Sequence, residues 1–237
     1  MRGTIFSYPQ GGLQAFEHII EMTNQPSLTI ALSKGRIFDE SITLHAKARV
    51  QIRDSVINSR KLVVPDTQDR FQFFMVKPVD VPTYVEYGVA DVGIAGRDVL
   101  LESNADVHQP LDLQIGICKM VVAGPKATVN QDYKELSAVR IATKYPHVTT
   151  EYFTRRGVPV EIIALSGSVE LAPLLGLSDR IVDLVSTGRT LAENGLEIIE
   201  SIADISARLI VNRASYQIKR KRVTELIEML SKASGRR

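Results

Sequence analysis

Short apolar runs of strand length alternate with glycine turns and helix-length segments along most of this chain, and that alternation limits the fold more than any other feature. The first unit is Leu28-Thr29-Ile30-Ala31-Leu32, followed by Ser33-Lys34-Gly35-Arg36 and a helix to about Ala48. Further strands are expected at 61–64, 71–76 and 91–95, with a helix over 81–87 ended by Gly88, a residue suited to a left-handed cap. Residues 114–123 form another expected strand, closed by Gly124-Pro125, and the polar stretch to Ser137 is the expected crossover between lobes. A second cycle follows: strand 139–143, helix 148–156, Gly157, strand 158–163, short helix 169–174 and strand 181–185. Such units imply an α/β fold with largely parallel sheets in two lobes. Residues 196–211 read as extended, and Val223, Leu226, Ile227 and Leu230 recur at helical spacing near the C-terminus. The expected division is an N-terminal extension at 1–27, lobe I at 28–124, lobe II at 125–205, and a return to lobe I with a C-terminal helix at 206–237.

Charge and composition exclude several functional classes. The net charge is only +2, which argues against a general coat for nucleic acid or anionic membrane. The balance is uneven, since residues 207–237 hold nine Lys and Arg against two Glu. The run Lys219-Arg220-Lys221-Arg222 reads as a solvated helix face or a partner-docking surface, because no tryptophan or interleaved aromatic residue offers a stacking platform. The single cysteine, Cys118, excludes an internal disulfide framework and points to a reducing compartment. It lies in an apolar strand and reads as a buried small residue. No run reaches the ~18 apolar residues of a membrane span, and the first residues lack a signal-peptide core, so a cytoplasmic location is expected. Leu13, Phe16, Ile19 and Ile20 place a short helix outside the main fold. The four histidines are scattered without metal-ligand spacing.

The stretch most suggestive of chemistry is Asp179-Arg180-Ile181-Val182-Asp183-Leu184-Val185-Ser186-Thr187-Gly188-Arg189-Thr190-Leu191. A buried-type strand delivers Asp183 near its end, and a Ser-Thr-Gly-x-Thr loop then opens a helix. Consecutive backbone N–H groups with the hydroxyls of Ser186, Thr187 and Thr190 make an anion cradle, and Gly188 lets the ligand approach the backbone. The same residues also suit an ordinary capped turn. Asp183 tips the balance, because a carboxylate there can accept from ribose hydroxyls while the loop holds a 5′-phosphate. Phosphoribosyltransferase loops commonly carry two adjacent acidic residues; Val182 occupies the first of those positions here, which counts against orotate- or purine-salvage-type enzymes.

Segments 28–36 (LTIALSKGR), 59–64 (SRKLVV), 81–101 (VPTYVEYGVADVGIAGRDVLL), 140–145 (RIATKY), 166–173 (SGSVELAP), 181–195 (IVDLVSTGRTLAENG) and 206–212 (SARLIVN) together resemble the ATP phosphoribosyltransferase family, over nearly the whole chain from about residue 28. The resemblance implies two α/β lobes like those of type II periplasmic binding proteins, with the active site in the cleft between them. It implies transfer of phosphoribose from phosphoribosyl pyrophosphate to N1 of ATP, with Mg²⁺, as the first step of histidine biosynthesis. Matched motif to motif, Arg36 and Arg60 correspond to catalytic arginines on the phosphates. Asp183, Ser186, Thr187, Gly188, Arg189 and Thr190, with Gly167, Ser168 and Glu170 of the second turn, correspond to the phosphoribosyl pyrophosphate site. Lys34, Asp91, Gly93 and Gly96 fall on the nucleotide side. No metal is expected on protein ligands alone; Mg²⁺ would arrive on the substrates, with Glu170 or Asp183 as possible contacts.

The chain ends one helix after the catalytic lobes. The resemblance therefore implies the short form, which works with a regulatory subunit resembling histidyl-tRNA synthetase in a hetero-octamer. Two rivals stay open on sequence: a non-catalytic two-lobed solute-binding module, and phosphoribosyl transfer to another acceptor.

Overall fold

The computed structural model describes residues 27–35, 37–50, 63–66, 70–132 and 138–235. The expected helix at 13–20, Arg36, Arg60 and the start of the strand expected at 61–64 lie outside them.

Apolar residues on alternate positions of β1 (Leu28–Ser33) make it the centre of the first sheet. It runs parallel to β3 (Phe71–Val76), from Leu28 opposite Phe71 to Ser33 opposite Val76, and parallel to β4 (Val92–Gly96). With β2 (Val63–Pro65), β5 (His108–Asp112) and β11 (Ala207–Val211), the order is β2-β3-β1-β4-β11-β5. A sheet covered on both faces needs hydrophobic residues on both. Leu28, Ile30, Leu32, Phe71 and Phe73 pack against Leu44 of α1 (Phe38–Lys47) and against Val223, Leu226 and Leu230 of the C-terminal helix, Arg220–Ala233. Ala31 and Ile210 face Val81 and Val85 of α2 (Val81–Glu86) and Leu100 of α3 (Arg97–Ser103).

The second sheet orders β10 (Leu196–Ile205), β6 (Cys118–Pro125), β9 (Arg180–Val185), β7 (Val139–Thr143) and β8 (Val160–Ala164). Strand β7 is parallel to β8 and β9, whereas β6 is antiparallel to β9 and β10. Val148 and Phe153 of α4 (Pro146–Arg155) cover one face, and Ala172 of α5 (Leu171–Leu174) with Leu191 of α6 (Arg189–Glu193) cover the other. After β11, α7 (Arg213–Ile218) leads into α8 (Arg220–Ala233) on the first lobe.

Several sequence expectations need correction. The strand expected at 114–123 begins only at Cys118, because Gln114 and Gly116 adopt positive φ and turn the chain. From Cys118 onward this strand is bonded into the second sheet, so the outward passage between lobes lies before it, not at 124–137. The extended stretch 196–211 is two strands in different sheets, with the return passage at Ser206. Both sheets are mixed and not largely parallel: in the first, β2 is antiparallel to β3 and the returning β11 is antiparallel to β4 and β5, and in the second β6 is antiparallel to β9 and β10. The basic run at 219–222 is not wholly a solvated face: Lys219 pairs with Asp91, and Arg222 is buried, leaving Arg220 and Lys221 exposed.

Candidate functional site

At the carboxyl edge of the second sheet, the segments following β9, β7 and β8 converge. Asp183 sits in β9, and its Oδ1 accepts a hydrogen bond from the Leu184 N–H at 2.8 Å. The strand gives way to Ser186 and Thr187, and Gly188 adopts φ +77°, a left-handed conformation that a side chain would strain. The Arg189 N–H donates to Thr187 Oγ1 at 3.4 Å, and the Ala192 N–H donates to Gly188 O. The second turn is held by Ser168, itself at φ +48°, whose carbonyl accepts from the Leu171 N–H. Between them lies a cavity of about 370 Å³, lined by Ser168, Glu170, Asp183, residues 184–191 and Lys144.

The structure thus brings together Asp183, Ser186, Thr187, Gly188, Arg189, Thr190, Ser168 and Glu170. Gly167 stands just outside the lining, with no atom within 4 Å of where a Cβ would be. Burial pushes the Asp183 carboxyl above the ordinary carboxylate range. The Leu184 N–H and the Lys144 ammonium oppose that shift, and the charges of Glu170 and Asp98 add to it. Lys144 was not expected from sequence; its signal was its place immediately after a strand, in the 140–145 motif. A second cavity of about 330 Å³ shares Val185, Ser186, Thr187 and Gly188 as its wall and extends to Ile117 and Cys118 at the passage between lobes.

The residues expected on the nucleotide side are not gathered in one place. Lys34 is exposed after β1, and Gly96 ends β4 and precedes α3, so both lie at the carboxyl edge of the first sheet. Asp91 precedes β4 at the opposite edge. There it accepts from the Thr29 N–H at 2.8 Å, from Ser215 Oγ at 2.6 Å and from Lys219 Nζ at 2.7 Å. Those partners occupy Asp91 in joining β1, β4 and the C-terminal helices. Gly93 lies mid-strand, where a Cβ would come within 2.8 Å of both Val81 Cγ1 and Val85 Cγ2. Its bareness is what lets α2 approach the sheet. Neither residue faces the edge where a ligand of parallel strands would sit.

The lobes meet beside the cavity. Tyr145, directly after Lys144, donates its O–H to Asp98 Oδ2 of α3 at 3.0 Å. Burial above all, with the adjoining Asp98 charge, raises the Tyr145 pKa far above the usual phenol value. The Glu102 carboxylate accepts from the His147 and Val148 N–H groups at 2.9 and 3.0 Å, satisfying first-turn donors of α4. No described helix is long and apolar enough to cross a membrane.

Comparison with known proteins identifies the family. The ATP phosphoribosyltransferase family model matches residues 77–232. The chain is 53% identical over 206 residues to ATP phosphoribosyltransferase 2 of Geobacter sulfurreducens, covering 86% of this chain and 97% of the relative. It is 56% identical over 205 residues to ATP phosphoribosyltransferase of Acidithiobacillus ferrooxidans, covering 86% of this chain and 95% of that one. Among solved structures, a chain of the ATP phosphoribosyl transferase (HisG:HisZ) complex from Thermotoga maritima superposes with a TM-score of 0.76 at 41% identity, covering 88% of this chain and 98% of that one. The periplasmic aliphatic sulphonate binding protein SsuA from Escherichia coli shares the two-lobed fold, with a TM-score of 0.58 at 12% identity over 89% of this chain and 73% of that one. By family model, identity and structure alike, this chain belongs to the ATP phosphoribosyltransferase family.

Proposed function

We propose that the protein transfers the phosphoribosyl group of phosphoribosyl pyrophosphate to N1 of ATP, releasing pyrophosphate, as the first step of histidine biosynthesis. The observation that carries this reading is the convergence of Asp183, Glu170 and loop 186–190 on one cavity in a chain of this family. In the transition state, positive charge develops on the ribose near C1 and negative charge gathers on the leaving pyrophosphate. Loop 186–190 would hold the 5′-phosphate through N–H groups and hydroxyls, and Asp183 would accept from ribose hydroxyls. Adenine N1 is already nucleophilic, so positioning and leaving-group stabilisation suffice without a strong general base. Arg36 and Arg60 are proposed to act on the phosphates at the reacting centre, with Lys34 and Gly96 toward ATP.

The donor set suits a hard cation that arrives on its substrate. Glu170 and Asp183 line one cavity, yet the described residues contain no cluster of three or more His, Cys, Asp or Glu able to hold a metal by themselves. Mg²⁺ bound to the diphosphate would supply charge to the leaving group, and these two carboxylates are the oxygens that would hold it. A regulatory subunit resembling histidyl-tRNA synthetase, in a cytoplasmic hetero-octamer, is proposed on the likeness to the HisG:HisZ complex chain. Incubating the chain with ATP, phosphoribosyl pyrophosphate and Mg²⁺, with and without that subunit, should yield phosphoribosyl-ATP by absorbance. No product in either mixture would refute the activity, and an unchanged particle size on mixing would refute the partner.

A further inference from the structure

The charged side chains lining the cavity over β9 are Lys144, Arg189, Glu170 and Asp183. Thr143 of β7 stands in register with Val182 of β9, so the next residues along these parallel strands are Lys144 and Asp183. Neighbouring strands lie about 4.8 Å apart, and residues in register share a face. The backbone on both sides of Lys144 is fixed. Thr143 Oγ1 donates to Val182 O at 2.8 Å and accepts from the Tyr145 N–H at 2.9 Å, while Tyr145 is tied to Asp98. Among the described residues the Lys144 ammonium has no hydrogen bond or ion pair, so it is available to a ligand.

Its lateral position indicates which part of a ligand it would meet. Loop 186–190 follows β9, Lys144 follows the neighbouring β7, and Ser168 and Glu170 follow the edge strand β8. A sugar phosphate with its 5′-phosphate in the loop and its hydroxyls on Asp183 directs its C1 substituent away from the loop, across β7, toward Ser168 and Glu170. Loop N–H groups and hydroxyls serve the first phosphate. Among the described residues, the other charge in the lining on the far side is the Glu170 carboxylate, and a diphosphate there carries more negative charge than one Mg²⁺ neutralises, so a protein cation beside it is favourable. Resting on the sugar-phosphate reading of this site, we infer that Lys144 holds the diphosphate of phosphoribosyl pyrophosphate and sets the preference for it over a plain sugar 5-phosphate. As N1 bonds to C1, the bond from C1 to the bridging oxygen breaks and its electron pair leaves with the diphosphate. The ammonium therefore gains strength of interaction through the reaction, and its loss lowers kcat as well as affinity.

Calorimetry on the full chain in Mg²⁺ buffer, with phosphoribosyl pyrophosphate, inorganic pyrophosphate and ribose 5-phosphate as titrants, tests this. Lys144→Met should weaken the two diphosphate ligands about tenfold, the size of one charge-assisted contact, and leave ribose 5-phosphate within about twofold. Lys144→Arg, which keeps the charge, should recover most of the loss and serves the same comparison should the Met variant not fold. Unchanged binding of phosphoribosyl pyrophosphate by Lys144→Met, or equal loss for all three ligands, would overturn the inference while leaving the sugar-phosphate reading intact. Failure of the wild type to bind phosphoribosyl pyrophosphate would overturn both.

Discussion

Burial raises the pKa of the Asp183 carboxyl, so its ionised form is less favourable in the folded chain than in the unfolded one. A raised carboxylate pKa makes the group an unfavourable contributor at neutral pH. Asparagine keeps an acceptor for the Leu184 N–H and removes the charge. Asp183→Asn should therefore melt at the same or slightly higher temperature, with a gain of no more than about 1 kcal/mol because the group opens onto the cavity, yet lose affinity for phosphoribosyl pyrophosphate. Wild-type affinity by calorimetry would remove Asp183 from the site. Asp91 shows the opposite balance. Burial alone would raise its pKa, but Lys219, Ser215 and the Thr29 N–H outweigh burial and bring it below the ordinary value. Its contribution is present above the unfolded pKa and lost as pH falls through the lower folded one. Lys219→Met would strand that carboxylate at 4% exposure, costing about 2–3 kcal/mol in urea denaturation at pH 7. The gap from wild type should begin to narrow below about pH 4 and close only once the pH falls past the depressed folded value of wild-type Asp91, where the carboxyl is protonated in both.

Strands and helices with a strong apolar period were legible in sequence because one physical cause, burial on a fixed face, set both pattern and structure. Strand β5 was not legible: His108-Gln109-Pro110-Leu111-Asp112 is polar and contains a proline, which an edge strand tolerates and a central one does not. The passage before β6 was misplaced because Gly124-Pro125 looked like a break, whereas the positive-φ residues Gln114 and Gly116 make the actual turn. Loop 186–190 could be read because its carboxylate, glycine and hydroxyls are consecutive; Lys144 could not, since its neighbour Asp183 arrives from another strand. The resemblance put Gly93 on the nucleotide side, whereas contact geometry makes it a packing residue under α2. Gly93→Ala drives a methyl against Val81 and Val85 of α2 and should cost about 1–3 kcal/mol by thermal melting. Gly167→Ala, with open space around its Cβ, should stay within about 0.5 kcal/mol; equal losses would show that the spacing of α2 and β4 is not what Gly93 secures.

The two lobes are joined by passages that run side by side: the Leu113 N–H donates to Ala207 O, and the Ala207 N–H donates to Ile115 O. Asp112 pins them, accepting from the Gln114 N–H and Ser206 Oγ and pairing with Arg208. A paired connection of this kind permits bending about one axis while resisting translation, so the separation of the lobes must be set farther out. Helices α3 and α4 supply that restraint through Tyr145 with Asp98 and through Glu102 on the first turn of α4. The raised Tyr145 pKa keeps its O–H protonated and donating through neutral pH. That contribution is complete below the ordinary phenol value of about 10 and is lost only as pH climbs through the higher folded value. Combining Glu102→Ala with Tyr145→Phe removes both contacts and leaves the buried cores and the paired passages untouched. The double variant should lose about 1–2 kcal/mol and show a larger ligand-free radius of gyration by small-angle scattering, with an unchanged far-ultraviolet spectrum. Because Lys144 is carried on the same segment as Tyr145, KM for phosphoribosyl pyrophosphate should rise as well. A wild-type radius with a wild-type KM would mean that the paired passages alone fix the lobes, and that the contact between α3 and α4 follows their spacing instead of setting it.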